Sequence, residues 1–156
     1  VAPMLAEKLR DWPAEPLILD PRGQAAEAYL AEKRAAFAAA DVALAASGTV
    51  SLELAAAGTP MVVAYDMSWL SRKIIGALLK VDTVTLVNLV SDTRAVPEFL
   101  GPDCRPEPIA KALHDLLSDE AARRAQVDAM DATMLRLGRG GEPPGLRAAR
   151  SVLRVI

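Results

Sequence analysis

A short polar turn, Ser47-Gly48-Thr49, interrupts an apolar part of the sequence and carries residue types that can hold phosphate. A helix-like segment follows it from about Thr49 or Val50. The first backbone N–H groups of a helix lack partners within the helix and carry about half a positive charge. Because Gly48 has no side chain and its neighbours carry hydroxyls, a phosphate could approach those N–H groups closely. An ordinary helix start, with a hydroxyl cap and a glycine turn, would use the same residues.

Glu53 adds a carboxylate within the predicted helix, in a stretch that is mostly Leu and Ala. Helical side chains lean toward the N-terminus of the helix, so this carboxylate either faces solvent or points back toward the turn. In the second position it would accept hydrogen bonds from a pair of sugar hydroxyls beside the phosphates. Glu53 therefore favours the phosphate interpretation of the turn.

Short apolar runs alternate with longer helix-like segments, an order typical of a parallel sheet with helices on both faces. We therefore predict an α/β fold of three layers. In such sheets ligands bind beyond the carboxyl ends of the strands, which is where the turn lies. The predicted strands are 16–20, 41–47, 60–65 and 83–89, and the predicted helices are 25–40, 50–57, 69–80, a short one starting within 96–100, 106–117, about 119–137 and 146–156.

The composition limits the classes of function. At 156 residues, 52% of them hydrophobic and 4% aromatic, the chain suits one domain, or a large part of one, with a closely packed core. A net charge of −2 gives no electrostatic reason to expect nucleic acid as a partner. Residues 121–156 are locally basic, with seven Arg against three acidic residues. That basic region suits a solvated helix face, or contact with an anionic partner or membrane.

Cysteine and histidine are too rare for a disulfide or a zinc site. Cys104 is the only cysteine of the sequence, and there is one histidine.

Every apolar run is shorter than the roughly 20 residues of a membrane-spanning helix, and the start of the sequence lacks the pattern of a signal peptide. We expect a cytoplasmic protein, and the initial Val1 suggests a piece of a longer chain. A breaker cluster at 138–145 divides a domain over 1–137 from a C-terminal segment, 138–156.

Longer motifs carry a family resemblance. The stretches ASGTVSLELAAAGTPMVVAY (46–65) and VTLVNLVSDTRAVPEFLG (84–101), then DC (103–104), resemble the bacterial lipid-A-disaccharide synthases. These are glycosyltransferases of the two-domain GT-B architecture. The S-G-T-x-x-x-E turn, the G-x-P-M-V-V-x-Y strand, the N-L loop and the V-P-E-x-L segment occur in the family's order. The resemblance is tightest over 41–104 and looser over 16–137.

The resemblance implies a Rossmann-like, partial C-terminal domain of the GT-B type that binds the nucleotide-sugar. The implied reaction joins UDP-2,3-diacylglucosamine to 2,3-diacylglucosamine 1-phosphate, giving the β-1,6-linked lipid A disaccharide and UDP. Helix amides can neutralise the departing UDP, so no metal or other cofactor is expected. The family's motifs identify no general base in this sequence. The implied substrate-binding residues are Ser47, Gly48 and Thr49 for the phosphates, Glu53 for the ribose, Asn88 for the nucleotide-sugar, and Glu98 and Arg94.

Two of these assignments have structural alternatives, and a third lies in a motif that departs from the family. Asn88 would equally suit a capping or turn position, and Glu98 suits a helix start. Relatives often read A-G-R-E where this chain has Ser91-Asp92-Thr93-Arg94, so the arginine is displaced by one position.

The family's N-terminal acceptor domain and its first glycine- and arginine-containing loop have no counterpart in the sequence. We therefore expect a nucleotide-binding half that does not catalyse transfer alone.

Two other functions fit parts of the same pattern. A domain like the UDP-N-acetylglucosamine 2-epimerases would share the phosphate turn and the ribose carboxylate, although the N-L and V-P-E motifs argue against it. A non-catalytic assembly domain would use the turn only to start a helix.

The segment 69–80, with an apolar face and a basic flank, would suit packing on the sheet or a peripheral contact with the inner membrane. The basic C-terminal helices would suit solvent, the other domain or a homodimer.

Overall fold

A computed structural model of the chain describes residues 15, 17, 19, 26–46, 48–66 and 82–154. Ser47, the predicted helix 69–80 and most of the predicted strand 16–20 lie outside these residues. The described elements, in chain order, are α1 (Ala26–Ala39), β1 (Ala43–Ala45), α2 (Val50–Ala57), β2 (Met61–Tyr65), α3 (Leu86–Ser91), β3 (Glu98–Leu100), a 3-10 turn (Gly101–Asp103), α4 (Pro106–Ser118), α5 (Glu120–Arg136) and α6 (Pro144–Leu153).

The strands form a parallel sheet in the order β1-β2-β3. Ala43 of β1 lies opposite Met61 of β2, and Val63 of β2 lies opposite Glu98 of β3. Parallel neighbours need a connection that returns to the same edge of the sheet, and α2 is that connection between β1 and β2. The sheet confirms the predicted α/β class.

Alternate residues of β2 pack against different layers. Met61 and Val63 belong to one core cluster, together with residues of α2, α3 and α5. Val62 belongs to a second cluster, formed with Ile109, Leu113 and others of α4. Successive side chains of a strand point to opposite faces of the sheet. Helices therefore cover both faces, which confirms a three-layer, Rossmann-like arrangement.

The helix limits that the local sequence predicted are largely confirmed. Helix α2 covers the predicted 50–57 and ends at Gly58, which has left-handed backbone angles (φ 76°). Helix α4 begins with Pro106 in its first turn. Helix α5 begins after Asp119, whose carboxylate accepts hydrogen bonds from the N–H groups of Ala121 and Ala122.

Two predicted elements are wrong. Residues 83–89 were expected to form a strand because they are β-branched, but Leu86–Ser91 is the helix α3. Its Val87 is fully buried, and the Val87 carbonyl accepts a hydrogen bond (3.2 Å) from the hydroxyl of Thr133 on α5. Residues 96–100 were expected to start a helix, but Glu98–Leu100 is the strand β3, which pairs with β2. Tertiary packing overrides the weak local preference in both segments.

The C-terminal segment folds back on the end of α5. Its helix α6 begins at Pro144, two residues before the predicted start, and Arg147 donates a hydrogen bond (2.8 Å) to the carbonyl of Leu137. Arg150 forms an ion pair (3.0 Å) with Glu142 in the connection. None of the helices within the described ranges combines the length and apolar character needed to cross a membrane.

Candidate functional site

The described part of the polar turn is open. Gly48 has φ 121°, and a Cβ atom placed on it would meet no atom within 4 Å. Its carbonyl accepts hydrogen bonds from the N–H (3.2 Å) and the hydroxyl (2.9 Å) of Ser51, whose side chain is fully buried. Ser51 thus fixes the turn from inside while Gly48 faces outward. Ser47 lies outside the described residues.

Thr49 lies directly before Val50, at the capping position of α2, but its side chain does not cap the helix. Its backbone angles are helical (φ −62°, ψ −21°), and its side chain makes no capping hydrogen bond. A capping Ser or Thr normally has extended backbone angles. The exposed Thr49 hydroxyl is therefore not used at the helix start, unlike the Asp119 carboxylate at the start of α5.

Glu53 lies one turn further along α2 and is partly exposed. Its carboxylate forms an ion pair, through Oε2, with Nζ of Lys33 on α1. The Glu53 side chain is 45% exposed, whereas that of Lys33 is 16% exposed. Gly48, Thr49 and Glu53 thus form one group at the start of α2, beyond the carboxyl end of β1.

Sequence reasoning missed Lys33, although a signal for it exists. Its ammonium nitrogen lies 5.9 Å from the ring centre of Tyr29 and 5.7 Å from that of Phe37. These three residues are spaced four apart, which places them on one face of a helix. Aromatic rings on both sides of a cation attract it through their negative faces. The ammonium group is therefore confined next to the Glu53 carboxylate.

Asn88 lies in the interior and uses its amide there. Its side-chain nitrogen donates to the carbonyl of Val96 (2.9 Å) and to the hydroxyl of Thr83 (3.2 Å). Its side-chain oxygen accepts from the N–H of Val96 (3.0 Å), and the residue is fully buried. The amide joins α3 to the segments on both sides of that helix, and it is not exposed on the surface.

Glu98 holds the segment that precedes α3. Its carboxylate accepts hydrogen bonds from the N–H groups of Val84 (3.0 Å) and Thr85 (2.5 Å) and from the hydroxyl of Thr83. Thr83 therefore links Glu98 to Asn88. These two predicted site residues form a second group around α3, which packs against α2.

Arg94 lies on the surface and is paired with Asp82. The guanidinium donates from Nε to a carboxylate oxygen (3.1 Å) and from a terminal nitrogen to the other oxygen. The hydrogen bond from Arg94 lowers the pKa of the Asp82 carboxyl below its ordinary value. Because both groups are exposed, this pair contributes little to stability, and another anion could compete for the guanidinium.

Cys104, at the carboxyl edge of the sheet, is not set up as a nucleophile. Partial burial, and secondarily the negative charge of Asp66, raise the pKa of its thiol. A raised pKa keeps a thiol protonated at neutral pH, and only the thiolate reacts. Within the described ranges, no group of three or more His, Cys, Asp or Glu side chains is placed to hold a metal ion.

Comparison with known proteins identifies one family. A family model described as lipid-A-disaccharide synthetase matches residues 22–141. The chain is 61% identical over 153 residues to a lipid-A-disaccharide synthase from Ruegeria pomeroyi, covering 98% of this chain and 37% of that protein. It is similar to proteins of the same name from Paramagnetospirillum magneticum, at 48% identity over 80% of this chain and 33% of the relative, and Rhodospirillum centenum, at 42% over 100% and 37%. The chain therefore spans about a third of the length of these relatives.

Proposed function

This chain belongs to the lipid-A-disaccharide synthase family, and on that basis we propose that it forms the UDP-sugar-binding part of a glycosyltransferase. The proposed reaction transfers a diacylated glucosamine from UDP-2,3-diacylglucosamine to 2,3-diacylglucosamine 1-phosphate and releases UDP. No metal or other cofactor takes part in this proposal. Because the chain spans 37% of the Ruegeria pomeroyi relative, the acceptor side of the cleft is assigned to residues outside it.

The open turn at Gly48 is the observation that carries the proposal. A departing UDP carries negative charge on its diphosphate. N–H groups that already point toward this charge stabilise it well, because they do not have to reorient during the reaction. The start of α2 carries a partial positive charge, and Gly48 leaves room for a phosphate to approach it. We place the diphosphate at Ser47, Gly48 and Thr49, and the ribose hydroxyls on Glu53.

The other predicted site residues receive different parts in this proposal. Asn88 and Glu98 act indirectly, because their hydrogen bonds hold α3 and the segment before it against α2. Arg94 can exchange its exposed partner Asp82 for a phosphate. The general base that activates the acceptor hydroxyl is left unassigned.

A calorimetric titration of UDP into the intact protein tests the assignment of Glu53. The Glu53→Gln variant should bind UDP about tenfold more weakly, since a hydrogen bond to a charged group contributes about 1.5–3 kcal/mol. Its free energy of unfolding should change by less than about 1 kcal/mol, because the ion pair with Lys33 is partly exposed and the amide oxygen can still accept from Lys33.

Glu120→Gln is the matched control for that titration. It removes the charge of an exposed glutamate that pairs with Arg124 on α5, so UDP affinity should not change. The assignment is contradicted if Glu53→Gln lowers stability as much as it lowers UDP affinity, or if it leaves UDP affinity unchanged.

A further inference from the structure

Lys33 is held in an unusual place for a lysine. Its side chain is only 16% exposed, whereas lysines are mostly exposed in proteins. The rings of Tyr29 and Phe37 lie on either side of the ammonium group, and the Glu53 carboxylate is its ion-pair partner. Enclosure on these sides leaves the ammonium group one preferred position, next to Oε2 of Glu53.

The helix that carries Lys33 is itself anchored. Phe37, one turn after Lys33, packs against the main core cluster. The carbonyl of Phe37 also accepts a hydrogen bond from the hydroxyl of Thr59, a buried residue between α2 and β2. Helix α1 is thus held against the core and against the segment that directly follows α2, and it also contacts α2, which carries Glu53. The fold therefore sets the position of Lys33 relative to the carboxylate.

We propose that Lys33 is a positioning residue that holds the Glu53 carboxylate in the orientation that receives the two ribose hydroxyls; this inference rests on the proposed function. A carboxylate has about four acceptor sites on its two oxygens, and Lys33 occupies one of them, on Oε2. The remaining sites suffice for a pair of hydroxyls. A partly exposed glutamate without such a partner loses side-chain freedom when it binds a ligand, and this loss of entropy costs free energy. Restraint before binding removes that cost, which favours affinity.

The test compares UDP with 2′-deoxy-UDP, because the difference isolates the contribution of the 2′ hydroxyl. The wild-type protein should prefer UDP by about tenfold or more, the size expected for a hydrogen bond to a charged group. Lys33→Met keeps most of the apolar stem and removes the charge. It should reduce the preference for UDP to about threefold or less, within the range of coupling energies between neighbouring residues. Affinity for 2′-deoxy-UDP, which keeps the 3′ hydroxyl, should fall less than affinity for UDP.

Two further variants make the test specific. Lys33→Arg retains a cation between the two rings and should retain the preference for UDP. Lys111→Met removes an exposed lysine (75% exposed) that pairs with Asp115 within α4, and should leave both affinities at the wild-type values. Glu53→Gln should remove the preference in a background where Lys33 is intact.

The outcomes separate the inference from the function on which it rests. If Glu53→Gln removes the preference for UDP and Lys33→Met does not, the positioning role is wrong and the ribose site stands. Equal weakening of both nucleotides by Lys33→Met, with a lower unfolding temperature, would show a purely structural lysine and also overturn the inference. Failure of Lys33→Arg to retain the preference would show that a cation between the two rings is not sufficient to position the carboxylate, and would overturn the role given to the charge. If the wild-type protein does not distinguish the two nucleotides, the ribose site and the positioning role both fail.

Discussion

At the scale of single residues, two glycines at opposite ends of α2 are closely matched. Gly48 has φ 121° and Gly58 has φ 76°, both in a region that side chains disfavour. A Cβ atom at either position would meet nothing within 4 Å. An alanine would therefore introduce backbone strain at both positions and a steric clash at neither. The two positions differ in that only Gly48 lies at the proposed phosphate site.

We predict that Gly48→Ala and Gly58→Ala each lower the free energy of unfolding by about 1–2 kcal/mol, the cost of a left-handed backbone for a residue with a Cβ. Gly48→Ala should also weaken UDP binding, because its methyl group would stand where the phosphate approaches. Gly58→Ala should bind UDP like the wild type. Chemical denaturation and calorimetry measure the two quantities. Similar UDP affinities in the two variants would contradict the assignment of the phosphate to the start of α2.

The residue types of the turn were readable from the sequence, but the contacts that support them were not. Gly48, Thr49 and Glu53 lie together because they are neighbours on one helix start. The hydrogen bond from Ser51 to Gly48 is also local. A serine three residues after a glycine turn is a sequence signal for this bond, because such hydroxyls often bind the backbone carbonyl of a preceding turn. The ion pair between Lys33 and Glu53 depends on how α1 packs against α2, which spacing along the chain does not determine.

At the scale of elements, local signals predicted the helices that have strong ends. Gly58 ends α2, Pro106 opens α4 and Asp119 caps α5, and each acts through its own backbone neighbourhood. The structure of 83–100 was predicted wrongly because it is determined by hydrogen bonds between distant residues. Glu98 binds N–H groups at 84 and 85, and Asn88 binds both backbone groups of Val96. These bonds favour a helix followed by a strand, against the β-branched composition.

Gln126 connects α5 to the sheet through a fully buried amide. Its nitrogen donates to the carbonyl of Ala95 (3.0 Å), and its oxygen accepts from the N–H of Met61 at the start of β2. Both backbone groups would be left without this partner in a Gln126→Leu variant. A buried polar group without a hydrogen bond costs about 1–3 kcal/mol.

We therefore predict that Gln126→Leu lowers the free energy of unfolding by about 2–4 kcal/mol, measured by chemical denaturation. Leu135→Ala on the same helix is the control, since that side chain is 65% exposed and surface changes stay within about 0.5 kcal/mol. A cost for Gln126→Leu no larger than that of Leu135→Ala would show that the amide does not fix α5 to the sheet.

At the scale of the whole molecule, the parallel sheet places the ends of three strands at one edge. The open turn, Asp66, and the 3-10 turn Gly101–Asp103 follow those ends. Ligands of open parallel sheets bind along this edge. The chain spans about a third of its relatives, so the proposal assigns one wall of a cleft to this edge and the opposite wall to residues outside the chain.

The central claim is that the turn before α2 and Glu53 bind UDP, and amide chemical-shift mapping of the intact protein during a UDP titration tests it most directly. The account predicts that the largest shifts fall on the amides from Ser47 to Glu53. Smaller shifts should follow on α3, which packs against α2. Saturable binding with shifts confined to α4, α5 or α6, or no shift at millimolar UDP, would contradict the claim.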